Sequence, residues 1–235
     1  MPVTMIVTSV LGALFLLWYI LRCSKQRDVK GLGVKMIVSV LYMCTAAFAI
    51  IERPETYVYG LLVIIGGIFG LLGDIYLDQK WIHLESKDDY LVLGFLVFGI
   101  GHIFYIVAAA MNAELELKDF IIPVIAAIAV PTGNDIMSKF LKQDFGKFRA
   151  IVFGYGAILA FMMGTAITAY VKTRSVAYLI YSVAGVSFLG SDVILSGMYF
   201  TKDGSKVTPF NFTTNIIAYY LAQYLIAITT YFIEV

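Results

Sequence analysis

The chain has 235 residues, of which 60% are hydrophobic and only 14% are charged, and its mean hydropathy is +0.87. These values exclude a soluble globular domain and indicate a protein surrounded by membrane lipids. The formal net charge of +1 gives no argument for a nucleic-acid partner. No segment is long enough to form a soluble domain that binds one.

Charged residues divide the sequence into about eight apolar stretches, each close to the roughly 20 helical residues that a membrane crossing needs. In chain order they run from 3 to 21, 33 to 51, 57 to 77, 91 to 111, 120 to 138, 150 to 171, 175 to 200 and 211 to 233. The fifth is interrupted by Pro123, Pro131, Asn134 and Asp135, and a broken polar segment is tolerated where it faces protein or a cavity. The predicted fold is an all-α, polytopic transmembrane helix bundle in one domain, residues 1–235, with seven spans as the rival count.

Lys and Arg are unevenly distributed among the short loops that join these stretches. With eight spans, thirteen of the 17 basic residues fall on one side, including those of "SKQRDVK" and "KQDFGKFR", and four fall on the other. The positive-inside rule assigns the basic side to the cytoplasm. Both termini are then expected outside.

Two aspartates lie within predicted spans. Asp74, in "GLLGDIYLDQK", is three residues from the end of the third stretch, and Asp192, in "GVSFLGSDVILSGMYF", is about eight residues from the end of the seventh. An ionisable side chain in a spanning helix costs roughly 2.5 to 3.5 kcal/mol and is a candidate functional residue. Asp74 alone could instead be an interfacial carboxylate that snorkels to the headgroups. Asp192 is too deep for that.

The segments around the two aspartates resemble each other. "GIFGLLGDIYL" aligns without gaps to "GVSFLGSDVIL" at an offset of 118, and "GIGHIFYI" falls against "YLAQYLIA" at an offset of 121, which pairs His102 with Gln223. This similarity predicts two parallel four-helix repeats, 1–115 and 116–235, related by an axis along the membrane normal. Chance similarity between apolar helices is the alternative.

The predicted orientation brings both aspartates to the cytoplasmic half, where they could share one cavity. Asn215 lies about four residues inside the eighth stretch, and His102 and Gln223, about twelve residues inside theirs, would form the cavity floor. Lys35 would lie near the mouth. Tyr105 follows His102 by one turn, and the histidine could orient a carboxylate or be a satisfied polar group between helices.

The residues present favour carboxylate chemistry. No metal site is expected, because the other histidine, His83, lies in a charged loop and no spacing supplies three nitrogen or sulfur ligands. In a mostly apolar cavity, one carboxyl group can be protonated while a second is ionised, which provides an acid and a base. Deeper burial favours Asp192 as the protonated one.

At these positions the sequence resembles the YhhN family of small polytopic membrane proteins, whose animal members are lysoplasmalogenases. The resemblance rests on "LLGDIYL", "GHIFYI", "SFLGSDVILS" and "NIIAYYLAQYLI", and it covers nearly the whole chain. Met36 stands where proline commonly follows the family's lysine. The resemblance implies that Asp74 and Asp192 are catalytic. The residues implied to bind substrate or support the aspartates are Lys35, His102, Tyr105, Asn215, Tyr219 and Gln223.

The resemblance also implies a reaction. A lysophospholipid with a vinyl-ether bond would be hydrolysed to a fatty aldehyde and a glycerophospho-alcohol, without a metal or organic cofactor, in a bacterial cell membrane. The head of the lipid would lie near Lys35 and its tail between helices. Two other classes stay open: a proton-coupled transporter of lipids or small molecules, and an intramembrane aspartyl protease, although the usual Gly-x-Gly-Asp reads here Leu71-Leu72-Gly73-Asp74.

Overall fold

The computed structural model describes residues 1–24 and 28–234. In this part of the chain there are eight long helices, joined by short loops and 3-10 turns. They are α1 (Val3–Cys23), α2 (Val29–Glu52), α3 (Tyr57–Ile82), α4 (Lys87–Asn112), α5 (Ile121–Phe140), α6 (Arg149–Thr173), α7 (Val176–Phe200) and α8 (Pro209–Phe232). Each predicted apolar stretch is a helix, so the predicted all-α bundle is confirmed.

Seven of these helices, α1 to α7, are long and apolar enough to cross a membrane, as in an integral multi-pass membrane protein. The exception among the described helices is α8, not the fifth helix that the sequence marked as doubtful. Polar residues lower the hydropathy of α8, and several are buried, among them Asn215, Gln223 and Thr230. Because α8 packs against α2, α3 and α7, these side chains face protein.

The fifth helix differs from its prediction in two ways. It runs unbroken through Pro131, and few of its residues are buried, although the sequence indicated a broken segment of the kind tolerated against protein or a cavity. Its prolines lie on the side that packs against α6, where a Cβ on Gly164 would lie 2.7 Å from the Cα of Pro123. Asp135 accepts two hydrogen bonds from Arg149 of α6, at 2.8 and 2.6 Å. Helix α5 is therefore peripheral and attached along one side.

Several helices extend beyond the predicted stretches at one end. α2 begins four residues earlier, at Val29, where Asp28 accepts a 2.7 Å hydrogen bond from the Gly31 N–H. α3 continues five residues further, to Ile82. The predicted bounds followed charge, whereas a helix continues through the headgroup region. Asp74 therefore lies eight residues from the end of its helix, about 12 Å.

Alternate loops lie at opposite ends of the bundle. The end that we call the basic end carries Ser24, Asp28 and the loops 83–86, 141–148 and 201–208. An ion pair between Lys147 and Asp88, with Nζ and Oδ2 2.7 Å apart, joins the loop 141–148 to the first turn of α4. At the other end Arg53 donates to the backbone oxygens of Tyr231 and Ile233, at 2.8 and 3.0 Å. Both termini lie at that second end.

Helix packing has the same pattern in both halves of the chain. The pairs α1–α2, α2–α3 and α3–α4 correspond to α5–α6, α6–α7 and α7–α8, and the halves meet where α2 packs on α8 and α4 packs on α6. The approach of α3 to α4 is close, since a Cβ on Gly101 would lie 2.8 Å from the Gly66 carbonyl oxygen. On this pattern we propose that the chain consists of two parallel four-helix repeats.

Candidate active site

Both membrane aspartates line one narrow cavity in the half of the bundle nearer the basic end. Side chains from α1, α2, α3, α4, α6, α7 and α8 form its walls. Its polar and charged members include Lys35, Asp74, Asp78, Asp192 and Asn215, and its aromatic members include Phe98, Tyr155, Phe188 and Tyr219. Two carboxylates 118 positions apart in sequence are thus brought to a single site, as the sequence predicted.

Lys35 lies between two carboxylates that are one turn apart on α3. Its Nζ is 3.0 Å from Asp74 Oδ1 and 3.3 Å from Asp78 Oδ1. All three residues are buried, with Asp74 only 3% exposed. Buried ions require partners because each costs several kcal/mol to desolvate. With both carboxylates ionised, the cluster carries one net negative charge. The expectation of a lysine at the cavity mouth, available to a phosphate, is not met by this geometry.

The second carboxylate oxygen of Asp74 accepts hydrogen bonds from α8 and α2. Tyr219 donates to Oδ2 at 2.9 Å, while Tyr220 and Ser39 are longer contacts at 3.4 Å each. The Tyr220 hydroxyl is also 3.1 Å from the backbone oxygen of Lys35. These contacts fix the orientation of Asp74 from the side opposite the lysine.

Behind Tyr219 is a second layer of buried polar groups. Gln223 donates from Nε2 to the Tyr219 hydroxyl at 3.3 Å, and Tyr105 donates to Gln223 Oε1 at 2.7 Å. A Cβ on Gly70 would lie 2.9 Å from Gln223 Nε2, so α3 passes directly over this amide. Gln223 does not line the cavity. It is therefore one layer behind the wall, not the cavity floor that the sequence predicted.

Asp192 is held by a tyrosine instead of a lysine. The Tyr155 hydroxyl, from α6, donates a short hydrogen bond to Asp192 Oδ2, and His102 Nε2 is 3.3 Å from the same hydroxyl. Because Tyr155 uses its one proton on Asp192, it accepts from His102, which assigns the Nε2–H tautomer. His102 Nδ1 is buried and has no partner in the described part of the chain. His102 thus contacts the carboxylate only through Tyr155.

The two aspartates differ in their burial and in the charge of their partners. Asp192 is half-buried and Asp74 is fully buried, so the expectation that Asp192 is the deeper one is wrong. The reason is that Asp192 also faces a second recess, between α5, α6 and α7. Among the described residues, no ion pair includes Asp192. Asp74 therefore has a cationic partner and Asp192 a neutral one.

Asn215 joins α8 to α7 in the cavity wall. Its Nδ2 donates to the backbone oxygen and the Oγ of Ser191, at 2.8 and 2.9 Å. Ser191 donates back to the backbone oxygen of Asn215 at 3.1 Å. Since Ser191 immediately precedes Asp192, this reciprocal contact positions the carboxylate along the axis of α7.

Sequence reasoning missed Asp78, Tyr155, Ser39 and Tyr220. Asp78 could have been found from the sequence, because a residue four positions after Asp74 lies on the same helix face. Tyr155 could have been found by comparing the two proposed repeats, because it lies 120 positions after Lys35. It contacts the aspartate of its own half, as Lys35 does. Each half thus contributes one aspartate, paired with a lysine in the first half and a tyrosine in the second.

A comparison with known families adds independent information. The profile of the YhhN family matches residues 30–230, which include every residue of the candidate site. No curated protein and no solved structure matches the chain.

Proposed function

Because the chain belongs to the YhhN family, we propose that it is a lysoplasmalogenase-like membrane hydrolase that cleaves the vinyl-ether bond of a lysoplasmalogen or a related lysolipid. The products are a fatty aldehyde and a glycerophospho-alcohol. The observation that carries this proposal is the shared cavity, in which Asp74 is paired with Lys35 and Asp192 with the neutral Tyr155.

Hydrolysis of a vinyl ether needs an acid and a negative charge. A proton is added to the β-carbon of the double bond, which leaves an oxocarbenium ion on the ether side. Water adds to that carbon, and the hemiacetal collapses to aldehyde and alcohol. Two carboxyl groups divide comparable work in glycoside hydrolysis, where one donates a proton and the other stabilises an oxocarbenium-like transition state.

The surroundings of the two aspartates suit these two roles. Asp192 is the proposed acid, because a carboxyl group with a neutral partner in an apolar wall retains a proton more easily than one beside an ammonium group. Its Oδ2 accepts from Tyr155, which leaves Oδ1 to carry the proton. Asp74 is the proposed carboxylate that stabilises the cation and activates water.

Asp78 places a second carboxylate beside Lys35. If Lys35 faced Asp74 alone, the pair would be neutral and would attract an oxocarbenium ion weakly. When Asp74 and Asp78 are both ionised around the one lysine, the buried cluster has a net negative charge. Fixed charges in a cavity from which water is largely excluded act strongly on a developing cation.

The test is an assay of purified protein in detergent with an alkenyl lysophosphoethanolamine. We expect fatty aldehyde as product, and in D₂O one deuterium at the aldehyde carbon next to the carbonyl, from the acid step. The saturated alkyl-ether analogue is the matched control and should stay intact, because it has no double bond to protonate. Absence of aldehyde, combined with movement of the intact lipid across proteoliposomes, would support a transporter instead.

A further inference from the structure

A second recess lies beside the carboxylate cavity, between α5, α6 and α7. We call it the α5–α7 groove. Its apolar walls include Val130 and Pro131 of α5, Val152, Gly156 and Leu159 of α6, and Leu189 of α7. Helix α5 packs mainly against α6, and this arrangement leaves the groove between α5 and α7.

The α5–α7 groove adjoins the carboxylate cavity and has exposed apolar side chains at its outer rim. Phe95, Tyr155 and Asp192 line both recesses, so Asp192 lies at their junction. At the outer rim, Phe153 is 40% exposed and Val193 is 45% exposed. An exposed apolar rim on a membrane-spanning helix faces lipid, so a hydrocarbon chain can reach Asp192 from the bilayer without passing through water.

A third recess, at the basic end, is lined by lysines. This lysine recess contains Lys80, Lys87, Lys147 and Lys202, together with Asp88 and Asp144. Four ammonium groups against two carboxylates give it a formal charge of +2. The hydrogen bond between Lys202 and Asp144 holds the pKa of the Asp144 carboxyl below its usual value. Asp144 therefore counts as ionised at neutral pH.

The lysine recess adjoins both other recesses. Tyr199 lines it together with the carboxylate cavity, and Phe145 and Phe200 line it together with the α5–α7 groove. The ammonium nitrogen of Lys80 lies 3.4 Å from the centroid of the Tyr199 ring, so positive charge reaches this shared edge. An apolar groove, a reactive carboxyl group and a positive recess therefore follow one another along one side of the bundle.

We infer that the lysolipid of the proposed function is bound across all three recesses, with its anionic phosphate head at the basic end. The hydrocarbon chain lies in the α5–α7 groove, the reactive bond beside Asp192, and the phosphate in the lysine recess. This inference rests on the proposed function and adds which helices hold each part of the lipid. It assigns phosphate binding to the lysine recess and not to Lys35, whose ammonium group is held by Asp74 and Asp78.

A groove-filling variant tests the position of the chain. In Gly156→Leu the first added carbon would be in ordinary contact with Pro131, at 3.6 Å, and the rest of the side chain would occupy the groove. Gly154→Leu is the matched control, because it is on the same helix with open space around its Cβ. The probe is 1-O-hexadecyl-glycero-3-phosphocholine, a saturated ether that cannot be hydrolysed by this route.

Loss of about two methylene contacts corresponds to a rise of about tenfold in Kd. We expect Gly156→Leu to raise the Kd of the hexadecyl probe by at least that factor, and to raise the Kd of the octyl analogue by less. Gly154→Leu should leave both Kd values unchanged. Equal Kd values for both variants and the wild type would overturn the position of the chain.

Charge removal tests the position of the head. Lys87→Gln should raise the Kd of the same probe about two- to fivefold and weaken its dependence on salt, as expected for an exposed ion pair. Lys30→Gln, an exposed lysine outside the recess at the same end, should leave Kd unchanged. Equal effects of the two substitutions would contradict a phosphate site in the lysine recess.

Photocrosslinking of the wild-type protein avoids any dependence on the folding of variants. A lysophosphocholine with a diazirine near the end of its chain should label peptides of α5, α6 or α7, whereas labelling confined to α1–α3 would overturn the inference. This probe and the saturated ether report binding alone. The proposed hydrolase and the proposed binding mode can therefore be refuted independently. Binding in the groove without cleavage of an alkenyl lipid would refute the proposed hydrolase, and cleavage without groove binding would refute this inference.

Discussion

Asp74 and Asp192 occupy corresponding positions in the two proposed repeats, yet their partners differ. Lys35 contacts Asp74 at 3.0 Å, whereas Tyr155 donates to Asp192. A pair of like carboxylates in like surroundings would compete for one proton, while a cation beside one of them determines which is ionised. The unlike partners therefore suit these two similar residues to the two separate roles proposed for them.

We expect Lys35→Gln to lower kcat about 100-fold and to change KM little, because it removes the charge that holds Asp74 ionised during the reaction. Breaking a buried ion pair also destabilises a protein by about 3 to 5 kcal/mol, so thermal unfolding should be measured alongside the kinetics. Lys30→Gln is the control. A large rise in KM with unchanged kcat would show that Lys35 binds the phosphate, as the sequence alone suggested.

Removal of the Tyr155 hydroxyl tests the partner of Asp192. Tyr155→Phe should reduce kcat about tenfold to 100-fold, because Asp192 becomes a carboxylate as it gives up its proton and a hydrogen bond to a charged group contributes about 1.5 to 3 kcal/mol. Tyr181→Phe is a matched control on α7, because the Tyr181 hydroxyl is buried without a hydrogen-bond partner in the described part of the chain. Equal activity of the two variants would exclude a positioning role for Tyr155.

At the scale of the helices, close packing of α3 on α4 holds the second layer behind Asp74. Gly101→Ala would place a Cβ 2.8 Å from the Gly66 carbonyl oxygen, a backbone atom that cannot rotate away. We expect a loss of about 1 to 3 kcal/mol of stability, measured by thermal unfolding in detergent. Gly99→Ala, on the same helix with an ordinary 3.4 Å contact to Ile158, should be neutral or slightly stabilising. Similar melting temperatures for the two variants would contradict tight α3–α4 packing.

The number and order of helices could be predicted from the sequence because each crossing needs a long apolar stretch. The helix ends at the basic end could not, because helices continue past the hydrocarbon boundary that hydropathy detects. This shortfall placed Asp74 three residues from a helix end instead of eight. The sequence also did not show that α5 lies at the periphery of the bundle. Proline and polar residues in an apolar helix indicate that it departs from a simple lipid-facing span. Only the packing of the helices shows which of them faces protein.

At the scale of the whole molecule, eight helices place both termini at the end opposite the basic loops. We expect the loops 83–86, 141–148 and 201–208 to face the cytoplasm, since most Lys and Arg residues lie at that end. Lys25 and Arg27 of the first loop, which also contribute to this bias, lie outside the described residues. Single cysteines in these loops should react with a membrane-impermeant thiol reagent only after the cells are opened. Labelling of intact cells would reverse the orientation.

The candidate site was predictable in part, because polar residues in apolar helices are few and the two aspartates repeat with the same neighbours. The contacts of Lys35 were not predictable, since its partners are on another helix. The same holds for Tyr155, whose hydroxyl is one of many on tyrosines in the chain. Sequence identifies rare residue types in membrane spans, while partner choice among common ones depends on how the helices pack.

Asp74 and Asp192 are proposed to act as one unit, and a double-mutant comparison tests this most directly. The measurement is kcat/KM for alkenyl-lipid hydrolysis by Asp74→Asn, Asp192→Asn and the double variant, each shown to be folded by thermal unfolding. Asn preserves shape but neither donates this proton nor carries the charge, so each single variant should lose about 1,000-fold or more. We predict that the double variant is no less active than either single one. Substantial hydrolysis by the folded double variant would contradict the account.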